Sequence, residues 1–127
     1  MKALLDTHAL LWWLSDDPAL SARARRAITA ADNEIFVSAA SAWEIAIKNK
    51  RGKLDIQNLL DRLPQEIEEE GFLVLPISIE HGLRAGALPE HHRDPFDRML
   101  IAQAQAEQLP IVSNDTVFDS YGIKRIW

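Results

Sequence analysis

Four acidic residues stand where a strand-like apolar run of this chain gives way to a helix-like one: Asp6, Glu44, Asp97 and Asp115. If the strands are parallel, their carboxyl ends form a crevice at one edge of the sheet, where ligands of open α/β sheets bind. Four carboxylates gathered there repel one another unless a cation joins them, and Mg²⁺ or Mn²⁺ is the natural cation for an all-oxygen site. The pattern therefore predicts a metal site built from these four acids.

Each acid also has a simpler explanation, because acidic side chains at helix N-termini accept hydrogen bonds from unpaired N–H groups. Asp6 could cap the first helix, and Asp115 could cap a short turn. Ser41 and Glu44 spell a capping box, S-x-x-E. Glu44 could instead pair with Lys48 one helical turn on. Capping thus remains an alternative for every one of them.

The joint placement of the acids favours metal ligands over unrelated caps. Asp94 opens the motif DPFD and is interpreted first as a cap, with Pro95 at the first helical position. Asp6 and Asp115, however, terminate strands that can be neighbours in the centre of the sheet. Asp97 borders an apolar helical face, and an ionised group in such a place needs a compensating cation.

The elements that must position these acids alternate between strands and helices. Apolar runs of strand length are KALLD, EIFVS, FLVLPI, PIVSND and IKRIW. Helical patterns occupy the segments between them, with a C-cap expected at Gly52 and an interruption expected at Pro64. Such alternation implies βαβ units. We therefore expect an α/β fold of three layers, α/β/α, with helices on both faces of a mainly parallel sheet of about five strands.

Composition and charge narrow the class of protein. A length of 127 residues predicts a single domain spanning residues 1–127. The chain has no cysteine, which excludes disulfides, thiolate nucleophiles and Cys-containing zinc sites. The first residues are interrupted by Asp6 and His8 and match neither a membrane span nor a secretory signal, so we expect a cytoplasmic protein without membrane contact. A net charge of −5 argues against attraction of nucleic acid by the whole surface, but the basic run KNKRGK could contact phosphate locally.

Four segments together resemble a PIN domain of the VapC toxin type: LLDTHALLWWL, SAASAWEIAIKNKRGKL, HHRDPFDRMLIAQA and IVSNDTVFDSYGIKRIW. The resemblance covers almost the whole chain. It places the four acids at the family's acidic positions and Ser113 at its small hydroxyl position. It implies a toxin that hydrolyses RNA with Mg²⁺ or Mn²⁺, leaves a 3′-hydroxyl, is held inactive by a cognate VapB-type antitoxin and forms a homodimer.

The constellation suits hydrolysis of a phosphodiester. This reaction needs an activated water, neutralised nonbridging oxygens and a stabilised leaving oxygen, all of which bound Mg²⁺ can supply. The four acids would hold the metal and are thereby the predicted catalytic residues. His8, His91 and His92 are not required by this chemistry. Basic residues near the predicted rim are candidates for contacts with RNA phosphates: Lys48, Lys50, Arg51 and Arg98.

Two other classes of function stay open at this point. A different Mg²⁺-dependent phosphate-handling α/β domain would also use an acidic pocket, but the D-x-D of haloacid-dehalogenase-like phosphatases is absent because His8 occupies its second position. A non-catalytic protein-binding module would use Trp12, Trp13 and Trp43 as an interface and the acids as caps only. Hydrolysis assays with and without Mg²⁺ separate an enzyme from such a module.

Overall fold

The computed structural model describes residues 1–52 and 57–127 and contains the alternation that the sequence predicts. Its strands are β1 (Lys2–Leu5), β2 (Glu34–Ser38), β3 (Leu73–Leu75), β4 (Ile111–Val112) and β5 (Arg125–Ile126). Its helices are α1 (Thr7–Leu14), α2 (Ala22–Thr29), α3 (Ala39–Lys50), α4 (Gln57–Glu69), α5 (Ile79–Ala87) and α6 (Pro95–Glu107), and a 3₁₀ helix spans Thr116–Tyr121.

The strands form one parallel sheet in the order β3-β2-β1-β4-β5. Strand β1 is central, since Leu4 pairs with Phe36 on one side and with Ile111 on the other. The chain adds β2 and β3 to one side of β1 and then returns to add β4 and β5 to the opposite side. The boundary between β1 and β4 is therefore the point where the strand order reverses, and this is where open α/β sheets bind ligands.

Apolar side chains cover both faces of the sheet, as alternation along β1 requires. Ala3 and Leu5 belong to a core cluster that also contains residues of α1, α2, α3 and α4. Leu4 points to the opposite face and packs with Leu88, directly after α5, and with residues of α6 and the 3₁₀ helix. The three-layer α/β/α architecture with a parallel sheet is thus confirmed.

Two local expectations had different outcomes. Gly52 follows the end of α3 and has a φ of +74°, the left-handed conformation expected just after a helix. The interruption expected at Pro64 is wrong, because α4 runs without a break from Gln57 to Glu69. Leu63 and Ile67 are buried on either side of the exposed proline, so packing holds this helix together despite the missing donor.

No helix within residues 1–52 or 57–127 has the length and apolar character needed to cross a membrane.

Candidate active site

Asp6 lies at the carboxyl end of β1, directly before α1. Its backbone is extended, and its Oδ1 accepts a hydrogen bond of 2.7 Å from the N–H of Ala9, so the residue caps α1. Only 5% of Asp6 is exposed. This burial raises the pKa of the carboxyl to about 6, against the opposing effect of hydrogen bonds from the Ser113 side chain and the Ala9 backbone. Asp6 is therefore a cap that is also poorly solvated when ionised.

Asp115 follows the neighbouring strand β4 and occupies a more open position. It is exposed, and its Oδ1 accepts a hydrogen bond of 3.0 Å from the N–H of Val117, capping the 3₁₀ helix. The hydroxyl oxygen of the fully buried Ser113 accepts the N–H of Asp115 at 3.0 Å. Ser113 thus contacts both the Asp6 carboxylate and the backbone of Asp115.

Asp97 reaches the same region from α6, where it stands in the first turn of the helix. The cap of α6 is Asp94, whose Oδ1 accepts the N–H groups of Phe96 at 2.9 Å and of Asp97 at 3.0 Å. The structure therefore gives Asp94 the role of a cap. Oδ2 of Asp97 lies 2.6 Å from Nε2 of His92. Burial raises the pKa of Asp97, and the charges of Asp94 and Glu44 add to the increase while His92 opposes it.

Glu44 does not belong to a capping box. Helix α3 begins two residues before Ser41, and its cap is Ser38, whose hydroxyl oxygen accepts the N–H of Ala40 at 3.0 Å. Ser41 instead accepts a hydrogen bond of 2.9 Å from the hydroxyl of Thr7. Glu44 lies in the second turn of α3 and is 3% exposed. Its Oε2 pairs with the ammonium of Lys48, as the second alternative from the sequence predicts.

Three of the four predicted ligands line one cleft. Asp6, Asp97 and Asp115 border an open cavity of about 280 Å³. The remaining lining residues are Thr7, His8, Trp12 and Asn114. Among the described residues Glu44 is not part of the cavity lining, but its charge raises the pKa of Asp97 from nearby. Three of the predicted acids thus line one cavity, and the fourth acts on Asp97 through its charge without lining it.

The donors suit a hard divalent cation. One ligand atom each from His92, Asp97 and Asp115 lies within 4.8 Å of the others. Oε1 of Glu44 is buried and has no hydrogen-bond partner in the described part of the chain. Burial raises the pKa values of Asp6 and Asp97 in the absence of a cation. A bound Mg²⁺ or Mn²⁺ would compensate this poorly solvated negative charge, so the side chains fit the metal that the sequence predicts.

His92 is the residue at this site that sequence reasoning undervalued. Its backbone N–H donates to the hydroxyl of Tyr121 at 2.9 Å, and its carbonyl accepts a hydrogen bond of 3.0 Å from Arg98. These contacts fix the loop so that the imidazole reaches Asp97. The only available signal was the position of His92 in the loop directly before the DPFD motif. His91, by contrast, packs its ring against Tyr121 with the ring centroids 5.2 Å apart.

Arg98 has a structural role in the loop before α6, and its predicted contact with RNA phosphate stays a prediction. Its Nη1 donates to the carbonyls of Pro89 and His92, and its Nη2 donates to those of Ala85 and Leu88, at distances of 2.8 to 3.1 Å. Both terminal nitrogens of the guanidinium are thus engaged with the backbone. Arg98 holds the segment between α5 and α6, which includes His92.

The other basic candidates lie at the end of α3. Lys48 is partly buried against Glu44, whereas Lys50 and Arg51 are exposed. Lys50 and Arg51 are therefore accessible to a ligand approaching this end of the helix.

The PIN domain family model matches residues 3–124 of this chain. No curated protein matches the sequence. The fold is similar to that of a chain in VapBC2 from Rickettsia felis bound to a DNA fragment from their promoter, with a TM-score of 0.73, 17% identity and coverage of 100% of both chains.

Two further solved structures have the same fold. A chain of VapBC-1 from nontypeable Haemophilus influenzae gives a TM-score of 0.71 at 12% identity, covering 98% of this chain and 96% of that chain. A chain of a toxin-antitoxin complex from Klebsiella pneumoniae gives 0.64 at 22% identity, covering 90% and 87%. At these identities the likeness is one of fold.

Proposed function

This chain belongs to the PIN domain family, and from that membership we propose that it is a Mg²⁺- or Mn²⁺-dependent ribonuclease toxin of the VapC type. The observation that carries the proposal is the convergence of Asp6, Asp97 and Asp115 on one cleft at the switch point of the sheet. Helix capping accounts for one oxygen of Asp6 and one of Asp115 but does not account for Asp97 or Glu44.

The four acids divide into distinct tasks in the proposed reaction. Asp6, Asp97 and Asp115 would hold the metal from the cleft, and Glu44 would be the fourth ligand. When bound, Mg²⁺ or Mn²⁺ would neutralise phosphate oxygens and lower the pKa of the attacking water. Ser113 would support the site by its contacts with the Asp6 carboxylate and the Asp115 backbone. Lys50 and Arg51 stay as proposed phosphate contacts on the RNA.

We further propose a VapB-type antitoxin as the partner that inhibits the enzyme. Two of the similar structures named above are those of VapBC2 and VapBC-1, and the third is that of a toxin-antitoxin complex. A partner would find an apolar cavity of about 240 Å³ that is lined by residues of β2, α3 and α4 and by the exposed Val74 of the edge strand β3. The predicted cytoplasmic location stays a prediction.

Self-association is the second proposed interaction. Ile79 and Leu83 stand one turn apart on α5 and are 82% and 73% exposed. Beside them an apolar cavity of about 260 Å³ is lined by residues that include Ile77, Trp43 and Phe96. Large exposed apolar patches of this type mark protein interfaces, which supports a homodimer through α5.

RNA hydrolysis by the purified protein tests the proposed activity. We expect cleavage in Mg²⁺ or Mn²⁺, no cleavage in EDTA, and a loss of several orders of magnitude in Asp97→Asn, which removes a ligand charge at nearly constant volume. Asp32→Asn is the matched control, because Asp32 is exposed in the turn before β2. Full activity of Asp97→Asn, or activity that persists in EDTA, would remove the metal site from the mechanism. Binding of a partner without any hydrolysis would instead favour the binding-module alternative.

A further inference from the structure

Glu44 presents an unusual pair of carboxylate oxygens. The residue is almost wholly buried in the second turn of α3, and Oε1 finds no hydrogen-bond partner among residues 1–52 and 57–127. Buried polar atoms are nearly always paired, so an orphaned carboxylate oxygen requires a cause. Thr7, which lines the cleft with Asp6 and Asp97, donates its hydroxyl to Ser41, one helical turn before Glu44, so this part of α3 adjoins the cleft. Oε1 is therefore available to a cation bound there.

Oε2 is held from the opposite direction by Lys48, which follows Glu44 by one helical turn. The Lys48 side chain is 33% exposed, so the contact is partly shielded from water. Lys50, two residues further along the same helix, is exposed. The two lysines are thus chemically alike but occupy different environments, and within the described part of the chain Lys48 alone of the two contacts a candidate ligand.

We propose that Lys48 is a positioning residue for the metal site rather than a contact for RNA. By fixing Oε2, the Lys48 ammonium orients the Glu44 carboxylate so that Oε1 is left for the ion. Groups that hydrogen-bond a ligating carboxylate in this manner orient it and support metal affinity. The inference rests on the proposed function, because it requires that Glu44 serve a metal bound at the cleft.

The effect of Lys48→Met on Mn²⁺ affinity distinguishes a positioning role from competition with the ion and from a contact with RNA. If Lys48 orients Glu44, Lys48→Met weakens Mn²⁺ binding even though the substitution makes the site more negative. If Lys48 merely competes with the ion for Glu44, the same substitution strengthens Mn²⁺ binding. If Lys48 contacts RNA, the Mn²⁺ dissociation constant stays unchanged or decreases, and the KM for RNA rises at saturating Mn²⁺.

The experiment measures the Mn²⁺ dissociation constant of the RNA-free protein by electron paramagnetic resonance. Loss of an outer partner of a metal ligand typically lowers affinity by about 10–100-fold, and we expect this for Lys48→Met. Lys48→Arg retains a cationic donor and should restore most of the affinity. Lys50→Met is the matched control, since it removes the same charge from an exposed position of the same helix and should leave Mn²⁺ affinity nearly unchanged.

Lys48→Met leaves the buried Glu44 without its ion-pair partner and could fail to fold for that reason. Adding the substitution Glu44→Gln removes the unpaired charge and provides a second comparison. In a Glu44→Gln background, removal of Lys48 should cause no further loss of Mn²⁺ affinity, because the carboxylate to be oriented is gone. An equal loss in both backgrounds, or unchanged or tighter binding by Lys48→Met, overturns the positioning role while leaving the metal site intact. Absence of Mn²⁺ binding by the wild-type protein overturns the proposed metal site and, with it, this inference.

Discussion

A carboxylate has two oxygens, so capping a helix does not prevent a residue from binding a cation. Asp6 and Asp115 each use Oδ1 to accept a backbone N–H of the element that follows. Asp97 uses Oδ2 for His92, and Glu44 uses Oε2 for Lys48. At the scale of single residues, a hydrogen bond that supports the fold is therefore compatible with metal binding by the same carboxylate. Asp6 and Asp115 are caps, and each keeps a second oxygen that could bind a metal.

The pH dependence of stability provides a test of Asp6. Its pKa of about 6 in the folded protein lies above the ordinary value of 3.8. The folded state therefore binds a proton that the unfolded state has lost, and stability falls as the pH rises through the folded pKa. Through this group alone, metal-free protein should be about 1 kcal/mol less stable at roughly pH 7.5 than at roughly pH 5.

Urea unfolding in EDTA at the two pH values measures this effect, with Asp6→Asn as the reference that lacks the titrating group. We expect the stability of wild type relative to Asp6→Asn to fall at the higher pH. A difference between the two proteins that does not change with pH would contradict the burial of an ionisable Asp6.

At the scale of elements, α6 separates two functions within its first turn. Asp94 satisfies the N–H groups at the start of the helix, and Asp97 points toward the cleft. Arg98 then secures the loop that precedes the helix by donating to four carbonyls. Asp94 thus caps the helix and Arg98 holds the preceding loop, so Asp97 is not needed as a cap.

This division predicts opposite effects of two substitutions in α6. Asp94→Ala removes a cap and should lower stability by about 0.5–2 kcal/mol with or without metal. Asp97→Asn removes a poorly solvated charge and should leave metal-free stability unchanged or raise it. Mn²⁺ at a hundredfold excess over its dissociation constant should stabilise wild type and Asp94→Ala by about 2.7 kcal/mol, and Asp97→Asn by less.

Thermal melts of the three proteins in EDTA and in Mn²⁺ provide the measurement. If Asp97→Asn is destabilised in EDTA as much as Asp94→Ala, and Mn²⁺ shifts all three equally, Asp97 is a structural residue and the nuclease proposal loses its central ligand.

At the scale of the whole molecule, the two core clusters lie on opposite faces of one sheet, and a single domain over residues 1–127 stays a prediction. Trp12 and Trp13 pack against the first cluster, whereas Trp43 remains 60% exposed. The tryptophans of α1 thus serve the core, and the apolar surface left for partners lies around α5 and the edge strand.

The exposed face of α5 predicts a dimer that one charge can break. Leu83→Glu places a carboxylate within the proposed contact, and a buried unpaired charge is costly. Light scattering should give the mass of a dimer for wild type and of a monomer for the variant. Arg84→Glu, which alters an exposed neighbour, is the control. A monomeric wild type would contradict the homodimer, and a dimeric Leu83→Glu would move its interface elsewhere.

Expression without an antitoxin should arrest bacterial growth if the chain is a ribonuclease toxin. Growth curves of cells expressing wild type or Asp97→Asn at equal protein levels measure this effect, and the variant should be harmless. Equal toxicity of the two proteins would point to aggregation or binding as the cause. Sequencing of cut RNA ends after brief induction would then identify the substrate of an active toxin.

The sequence by itself determined the order of strands and helices, the parallel sheet and the candidate acids. Periodic burial is a local property, so apolar runs such as KALLD and EIFVS reveal their structure without knowledge of the fold. The convergence of Asp6 and Asp115 could also be anticipated, because parallel strands bring their carboxyl ends to one edge.

Only the tertiary structure decided which polar groups meet across loops and between elements. His92 reaches Asp97 because Arg98 and Tyr121 fix its loop, and Glu44 keeps a free oxygen because Lys48 takes the other. A side-chain hydrogen bond forms only within narrow limits of distance and angle. Segments far apart in sequence meet these limits only when the fold places their atoms to within a few tenths of an ångström. The hydrophobic periodicity of a sequence carries no information about such distances. The acidic site residues can therefore be predicted from the sequence, but the side chains that hold them in place cannot.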